Sequence, residues 1–244
     1  KKMAKSKGKT ANEEKGNHRL TPKEEEFIRC HKALRGQIDN AGWHFQAWKR
    51  LWNLVEGYHQ EMNVAHTFFR LTMRAHLLET VLRVSSICER SEEHYNFPDF
   101  LDFVKKDLDI FQEQDLEITR HGEEDIEAEI IADSTPTITA EMVEGHIQAL
   151  ESLPLDKLRA WRDDALSHID RHVAKDHIKL LEESPVDIDE LDRIIGELDY
   201  ILNVYSVAYD GQEWDRNLMF EHGIQNMLEA VRAGVKDVQG KEAK

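Results

Sequence analysis

Cysteine is scarce. Cys30 and Cys88 are the only two in 244 residues. Two thiols cannot build a disulfide framework, and their spacing matches no zinc module, so a reducing, cytoplasmic setting is expected. Proline and glycine are also sparse, at 5 and 12 residues. With apolar stretches rich in Leu, Ala, Ile and Met, this favours helices over strands. No apolar run approaches the roughly 20 residues of a membrane span, so no membrane partner is expected. The Lys-rich N-terminus has no apolar stretch behind it, so a secretory signal is not expected. Gly-rich phosphate loops, a Ser nucleophile elbow and Cys–His pairings are all missing.

Acid is abundant. The net charge is −16, and residues 1–24 carry eight Lys/Arg against three Glu. The first 24 residues are therefore at +5 and the remainder at −21. Between Asp107 and Glu151 there are fourteen acids and a single base, Arg120. Such a body repels phosphates at long range, so contact with nucleic acid requires a local basic patch.

Hydrophobic periodicity organises the chain as one domain over residues 21–240, behind a disordered basic tail over residues 1–20. "TPKEEEF" opens the first helix. Thr21 is its N-cap, Pro22 fits the first helical position and Glu24 completes a capping box. Apolar positions continue to Val55, in one helix or in two broken near Gly36 or Gly42. A long helix is expected from about Gln60 to Cys88, because Met62, Ala65, Phe69, Met73, Leu77, Val81, Val84 and Cys88 recur at steps of three or four. "NFPDFLDFVKKDLDIF" is a shorter amphipathic helix with Pro98 in its first turn. Thr139 caps a helix to Leu150, and Ser152 and Pro154 open the next. Asp187 with Glu190 makes another capping box, for a helix to Tyr209. A last helix is expected from Trp214 to Val235. The fold class is all-α, a single helical bundle.

"AWRDDALSHIDRH", from Ala160 to His172, concentrates the chemistry. Arg162 and His168 are six residues apart, about 120° around a regular helix and roughly 9 Å along it. One chain alone does not pair them tightly. Two such helices meeting across a dimer axis could bring both pairs to one cleft. A neutral imidazole there can accept a proton from a ribose 2′-hydroxyl. An arginine stays charged and can stabilise negative charge on a phosphate. Neither role needs a metal or cofactor. A rival reading uses His168 and His172, which share a helix face with Asp164 at metal-ligand spacing. However, "HIDRH" lacks the Glu that the zinc-protease motif requires after its first His. The plainest reading is a solvated face with i,i+4 charge pairs. From Asp156 to Lys179 six bases face five acids. Elsewhere, His76 reads as a hydrogen-bonded core histidine. Trp43, Trp48, Trp52 and Tyr58 fit core or dimer packing better than base stacking, and the aromatics of "LDYILNVYSVAY" read as core.

Arg162-Asp163, four further residues and His168 resemble the Arg, four-to-six residues, His motif of HEPN domains. The wider pattern is similar to the abortive-infection AbiU-type HEPN family over roughly residues 25–205. It is carried by "VAHTFFRLTMRAHLLETVLRVSSICER", "NFPDFLDFV" and "LRAWRDDALSHID". The resemblance implies a homodimeric helical bundle and a metal-independent endoribonuclease with a role in anti-phage defence or toxin-type RNA cleavage. It makes Arg162 and His168 the catalytic pair and Asp163 the residue that orients one of them. Arg159, Arg171 and Lys175 would then contact RNA, and a partner defence or antitoxin protein is implied. Asp170 stands where some HEPN toxins carry a modifiable Tyr, so that form of control is not implied. The alternative is a catalytically inactive helical scaffold of a defence system.

RNA affinity should be weak and fall only shallowly with salt, because few Lys/Arg–phosphate contacts release few counterions. Titration of a labelled RNA across a salt series measures the slope. A steep slope would move the binding site to the Lys-rich tail, which deletion of residues 1–20 would then abolish.

Overall fold

The computed structural model describes residues 20–111, 135–162, 187–214 and 223–242. Among these residues every regular element is a helix, in agreement with the all-α expectation. Helix α1 runs unbroken from Pro22 to Leu54. Its capping box is complete: Thr21 Oγ1 accepts from the Glu24 amide at 3.3 Å, and Glu24 Oε2 accepts from the Thr21 amide at 2.7 Å. Neither Gly36 nor Gly42 breaks it. A helical glycine costs about 1 kcal/mol, which burial of Phe27, Leu34, Ile38, Phe45 and Trp48 along the same helix outweighs.

The expected helix from Gln60 is instead two. Helix α2 spans His59–Val64 and α3 spans His66–Cys88, with Ala65 non-helical at φ −132°, ψ 48°. No Gly or Pro marks this break. It turns Tyr58 and Met62 into a small second core with Leu51, Phe69 and the distant Leu228. Arg232 reinforces that contact: it bonds Glu61 at 2.7 Å and lies 4.2 Å from the centre of the Tyr58 ring.

Helix α4, Phe97–Lys106, has Pro98 in its first turn. Its N-cap Asn96 is buried; the side-chain oxygen accepts from the Asp99 amide at 2.9 Å. A 3₁₀ turn follows at Leu108–Phe111. Helix α5, Ala140–Glu151, is capped by Thr139 as expected. After a turn at 152–154, residues 155–162 are helical. Helix α6, Ile188–Asp210, begins at Asp187, but the second capping box does not close. Asp187 accepts from the Asp189 amide at 2.8 Å, and Glu190 instead binds Lys157 Nζ at 2.9 and 3.0 Å. Gly211 ends α6 with φ 72°, a conformation that favours glycine. The last helix, α7, is Gly223–Glu242. Trp214, expected to start it, is not helical; its amide and carbonyl are both bonded to the Asn203 side chain.

Helix α1 is the spine. It packs chiefly on α3 and then on α6, while α4 packs on α5 and α7 on α2. The main core draws from α1, α3, α4, α5, residues 155–162 and α6. Tyr205 sits at its centre, edge-on to Phe100 at 5.4 Å. One charge pair crosses this apolar interior. Arg35 of α1 donates to Asp199 Oδ1 at 2.5 Å and to Asn203 Oδ1 at 2.8 Å, both on α6. The side chains of Arg35 and Asp199 are only 5% and 12% exposed.

Without Asp199, the buried Arg35 charge keeps Asn203 and a longer contact to Asp39 at 3.8 Å, but loses its closest counter-charge in low dielectric. Asp199→Ala should cost about 3–5 kcal/mol, read by denaturant unfolding. Arg35→Met combined with Asp199→Leu should cost less than Asp199→Ala alone; a double variant that is weaker still would refute the stranded-charge account.

Candidate functional site

The helical stretch 155–162 is fixed from below by Leu158 and Trp161, both buried in the main core. Arg159 and Arg162, three residues apart, share the adjoining face. That face meets the C-terminal end of α3. Glu89, the first residue beyond α3, has an extended backbone, and its carboxylate lies between the two arginines. Arg162 Nη1 donates to Oε2 at 2.7 Å and Arg159 Nε donates to Oε1 at 2.9 Å. Arg159 Nη1 also donates to Asp156 Oδ1 at 2.9 Å, one turn back. Asp156, Arg159, Glu89 and Arg162 form a continuous chain of alternating charge.

The chain beyond Glu89 is also well held. His94 accepts or donates at both ring nitrogens, to Ser86 Oγ and to Ser91 Oγ, each at 3.0 Å. Arg90 binds Asp99 at 2.6 Å and Asp102 at 2.7 Å on α4. Asn96 Nδ2 reaches the Ser91 and His94 carbonyls at 3.3 Å. Glu89 thus projects from a helix end braced on both sides.

Of the residues singled out in the sequence, the structure brings Arg162 and Arg159 together. Asp163, His168, Arg171 and Lys175 lie outside the described residues, as do Asp164 and His172 of the metal reading. Among the described residues no group of three or more His, Cys, Asp or Glu could hold a metal ion. Sequence reasoning missed Glu89. The available signal was electrostatic: an acid at a helix C-terminus opposes the helix dipole and calls for a compensating cation.

Trp48 and Tyr58 are core, whereas Trp43 and Trp52 are 39% and 58% exposed. Tyr205 and Tyr209 are buried and Tyr200 is not. Cys30 and Cys88 are buried free thiols, each pushed up by burial to about 12, which makes them poor nucleophiles. His76 is hydrogen-bonded, as expected, but only half-buried. Its Nδ1 meets His44 Nδ1 at 2.9 Å, so one ring donates and the other accepts. Burial, and then the neighbouring His44, hold His76 below its ordinary range. Burial also lowers His146, which bonds the Tyr205 hydroxyl at 2.8 Å. His31 is lowered furthest, to about 4, because burial against the core outweighs its bond to the Leu202 carbonyl.

These features define an all-helical bundle with an arginine pair anchored where a late helix crosses the end of α3. The chain belongs to the AbiU2 family of HEPN domains: the family profile HEPN_AbiU2 matches residues 24–228. No curated protein and no solved structure matches the chain significantly. Among the described residues no helix is long and apolar enough to cross a membrane.

His31 supplies a pH test of the fold. Its folded value lies below the ordinary 6.5, so the unfolded chain binds the extra proton first. The contribution of this neutral imidazole is complete above pH 6.5 and is lost as pH falls toward about 4. Unfolding free energy should drop over that window. His31→Gln keeps a donor for the Leu202 carbonyl without titrating and should flatten the curve. Parallel curves for parent and variant would exclude His31 as the source.

Proposed function

We propose that the chain is a metal-independent endoribonuclease of the HEPN class, acting in anti-phage defence or toxin-type RNA cleavage. One observation carries this reading: in a chain of the AbiU2 HEPN family, the motif arginine, Arg162, is held on a rigid acidic anchor. A fixed guanidinium is what stabilisation of a pentavalent phosphate requires, because its donors need no reorganisation as charge develops.

The chemistry follows from the two motif groups. The His168 imidazole accepts the proton of a ribose 2′-hydroxyl. The 2′-oxygen attacks the adjacent phosphorus, and the bond to the 5′-oxygen breaks. Arg162 offsets the charge on the non-bridging oxygens, while Asp163 orients its neighbour in the pair. The departing 5′-oxygen takes a proton from water, and the hydroxide left behind takes the proton held by His168, which restores the neutral imidazole. Products are a 2′,3′-cyclic phosphate and a 5′-hydroxyl. The six-residue separation of Arg162 and His168 supports a composite cleft at a two-fold homodimer axis around residues 155–175. Arg159, Arg171 and Lys175 are the RNA contacts of that cleft. The cytoplasm is the compartment, and a partner defence or antitoxin protein would regulate it.

The test is cleavage of a broad RNA panel in EDTA, with light scattering of the same sample to establish the dimer. RNA should be cut, a 2′-deoxy substitution at the cut site should block it, and the product should carry the cyclic phosphate. His168→Ala should lose roughly two or more orders of magnitude in rate, and Arg162→Ala a comparable amount. His172→Ala should have a small effect here and a large one if a metal is bound. Full activity in both the Arg162→Ala and His168→Ala proteins would sink the proposal. An inactive parent would favour a non-catalytic defence module that binds another protein through its acidic body.

A further inference from the structure

We infer that Glu89 is a positioning residue for Arg162, so that the site comprises an acid from the end of α3 as well as the late-helix motif. This inference rests on the endoribonuclease reading.

The geometry separates this from an ordinary surface ion pair. Both carboxylate oxygens of Glu89 are used, each by a different arginine, at 2.7 and 2.9 Å. The bases of both elements are packed in the core. Ser85, Ile87 and Cys88 are buried immediately before Glu89, and Leu158 and Trp161 are buried beside the arginines. The carboxylate therefore transmits the position of one packed helix to a guanidinium on another. A guanidinium is planar, with its donors in a fixed fork. Anchoring Nη1 orients the whole group. The orientation is set before RNA arrives, so that part of the ordering cost does not fall on the transition state.

Helix stability does not account for Glu89. A negative charge at a helix C-terminus is unfavourable against the dipole. The two arginines offset that penalty. Among the described residues, Glu89 pairs with both arginines and Asp156 pairs with Arg159. Glu89 therefore lowers the attraction of the site for phosphate while fixing where Arg162 stands. A group that weakens ground-state binding and pre-orients a transition-state contact has a diagnostic kinetic signature.

The experiment compares the full-length parent with Glu89→Gln and Glu89→Asp. Gln keeps the shape but offers only one acceptor oxygen, and its amide N–H faces one of the arginine donors. For Glu89→Gln, kcat should fall by up to about 100-fold, while KM for RNA stays level or decreases. Glu89→Asp keeps the charge and should recover part of kcat. The pH limb assigned to His168 should not move, since Glu89 exchanges no proton with substrate. Thermal unfolding of each variant is followed alongside. A purely structural role would lower the melting temperature and the fraction of active protein while kcat per active site held constant, which overturns the inference. Unchanged kcat overturns it as well. A rise in kcat would make Glu89 a mask over the arginines, again against it.

A second measurement needs no turnover. Guanidinium nitrogen spectra, with Arg162 assigned through Arg162→Lys, should show slow rotation about its terminal C–N bonds in the parent and averaging in Glu89→Gln. Equal mobility in both proteins overturns the positioning role. Slow rotation lost in Glu89→Gln, with no RNA cleaved by the parent, confirms the anchor and rejects the nuclease reading.

Discussion

A single buried arginine constrains how the bundle can assemble. Arg35 lies on the spine helix, surrounded by the main core, and its charge must be met there or the helix cannot bury that face. Asp199 and Asn203 meet it, which sets the register of α6 against α1. Asn203 then holds Trp214 at both its amide and its carbonyl, and the Trp214 indole N–H donates to Ser206 Oγ at 2.9 Å. The route of the chain after Gly211 thus depends on a charge 164 residues away from its partner acid. An apolar residue at 35 would give a more slippery contact. Replacing such a buried pair by apolar residues is often close to neutral in stability, whereas its directional bonds tie Arg35 to Asp199 and Asn203 on α6.

The same logic recurs at the candidate site on a partly exposed scale. Arg159 and Arg162 are matched by Glu89, and Lys157 by Glu190, so the stretch 155–162 is tied to α3 on one side and to α6 on the other. Exposed ion pairs of this kind contribute little to global stability. Their value is directional. They turn a short helical segment, already held by Leu158 and Trp161, into a platform with a defined orientation. In an acidic protein this also restricts where a phosphate can approach, since the body around the platform repels it.

Much of the architecture was legible from short-range rules. The Thr21–Glu24 box, the Thr139 cap and Pro98 in the first turn of α4 all act within three or four residues, where backbone geometry alone decides the outcome. The failures share a cause. At Asp187 the local rule predicted a capping box, but Glu190 had a cation available from another element, Lys157, and took it. At Ala65 the period of apolar residues continued through the break, because Met62 and Phe69 are buried on both sides of it. The short α2 before the break packs on α7, a contact that no window of the local sequence contains.

The sequence by itself determined the helical class, most helix starts and the family motif around Arg162. These depend on periodicity, capping residues and a fixed spacing, all readable along the chain. Only the tertiary structure decided that α2 and α3 are separate, that Trp48 is buried while Trp52 is not, and that Glu89 holds Arg162. Glu89 lies 70 residues from Arg159 and 73 from Arg162. Nothing in the local preferences of any of the three names the others. Their meeting follows from where two helices cross, which burial of the apolar faces beneath them sets.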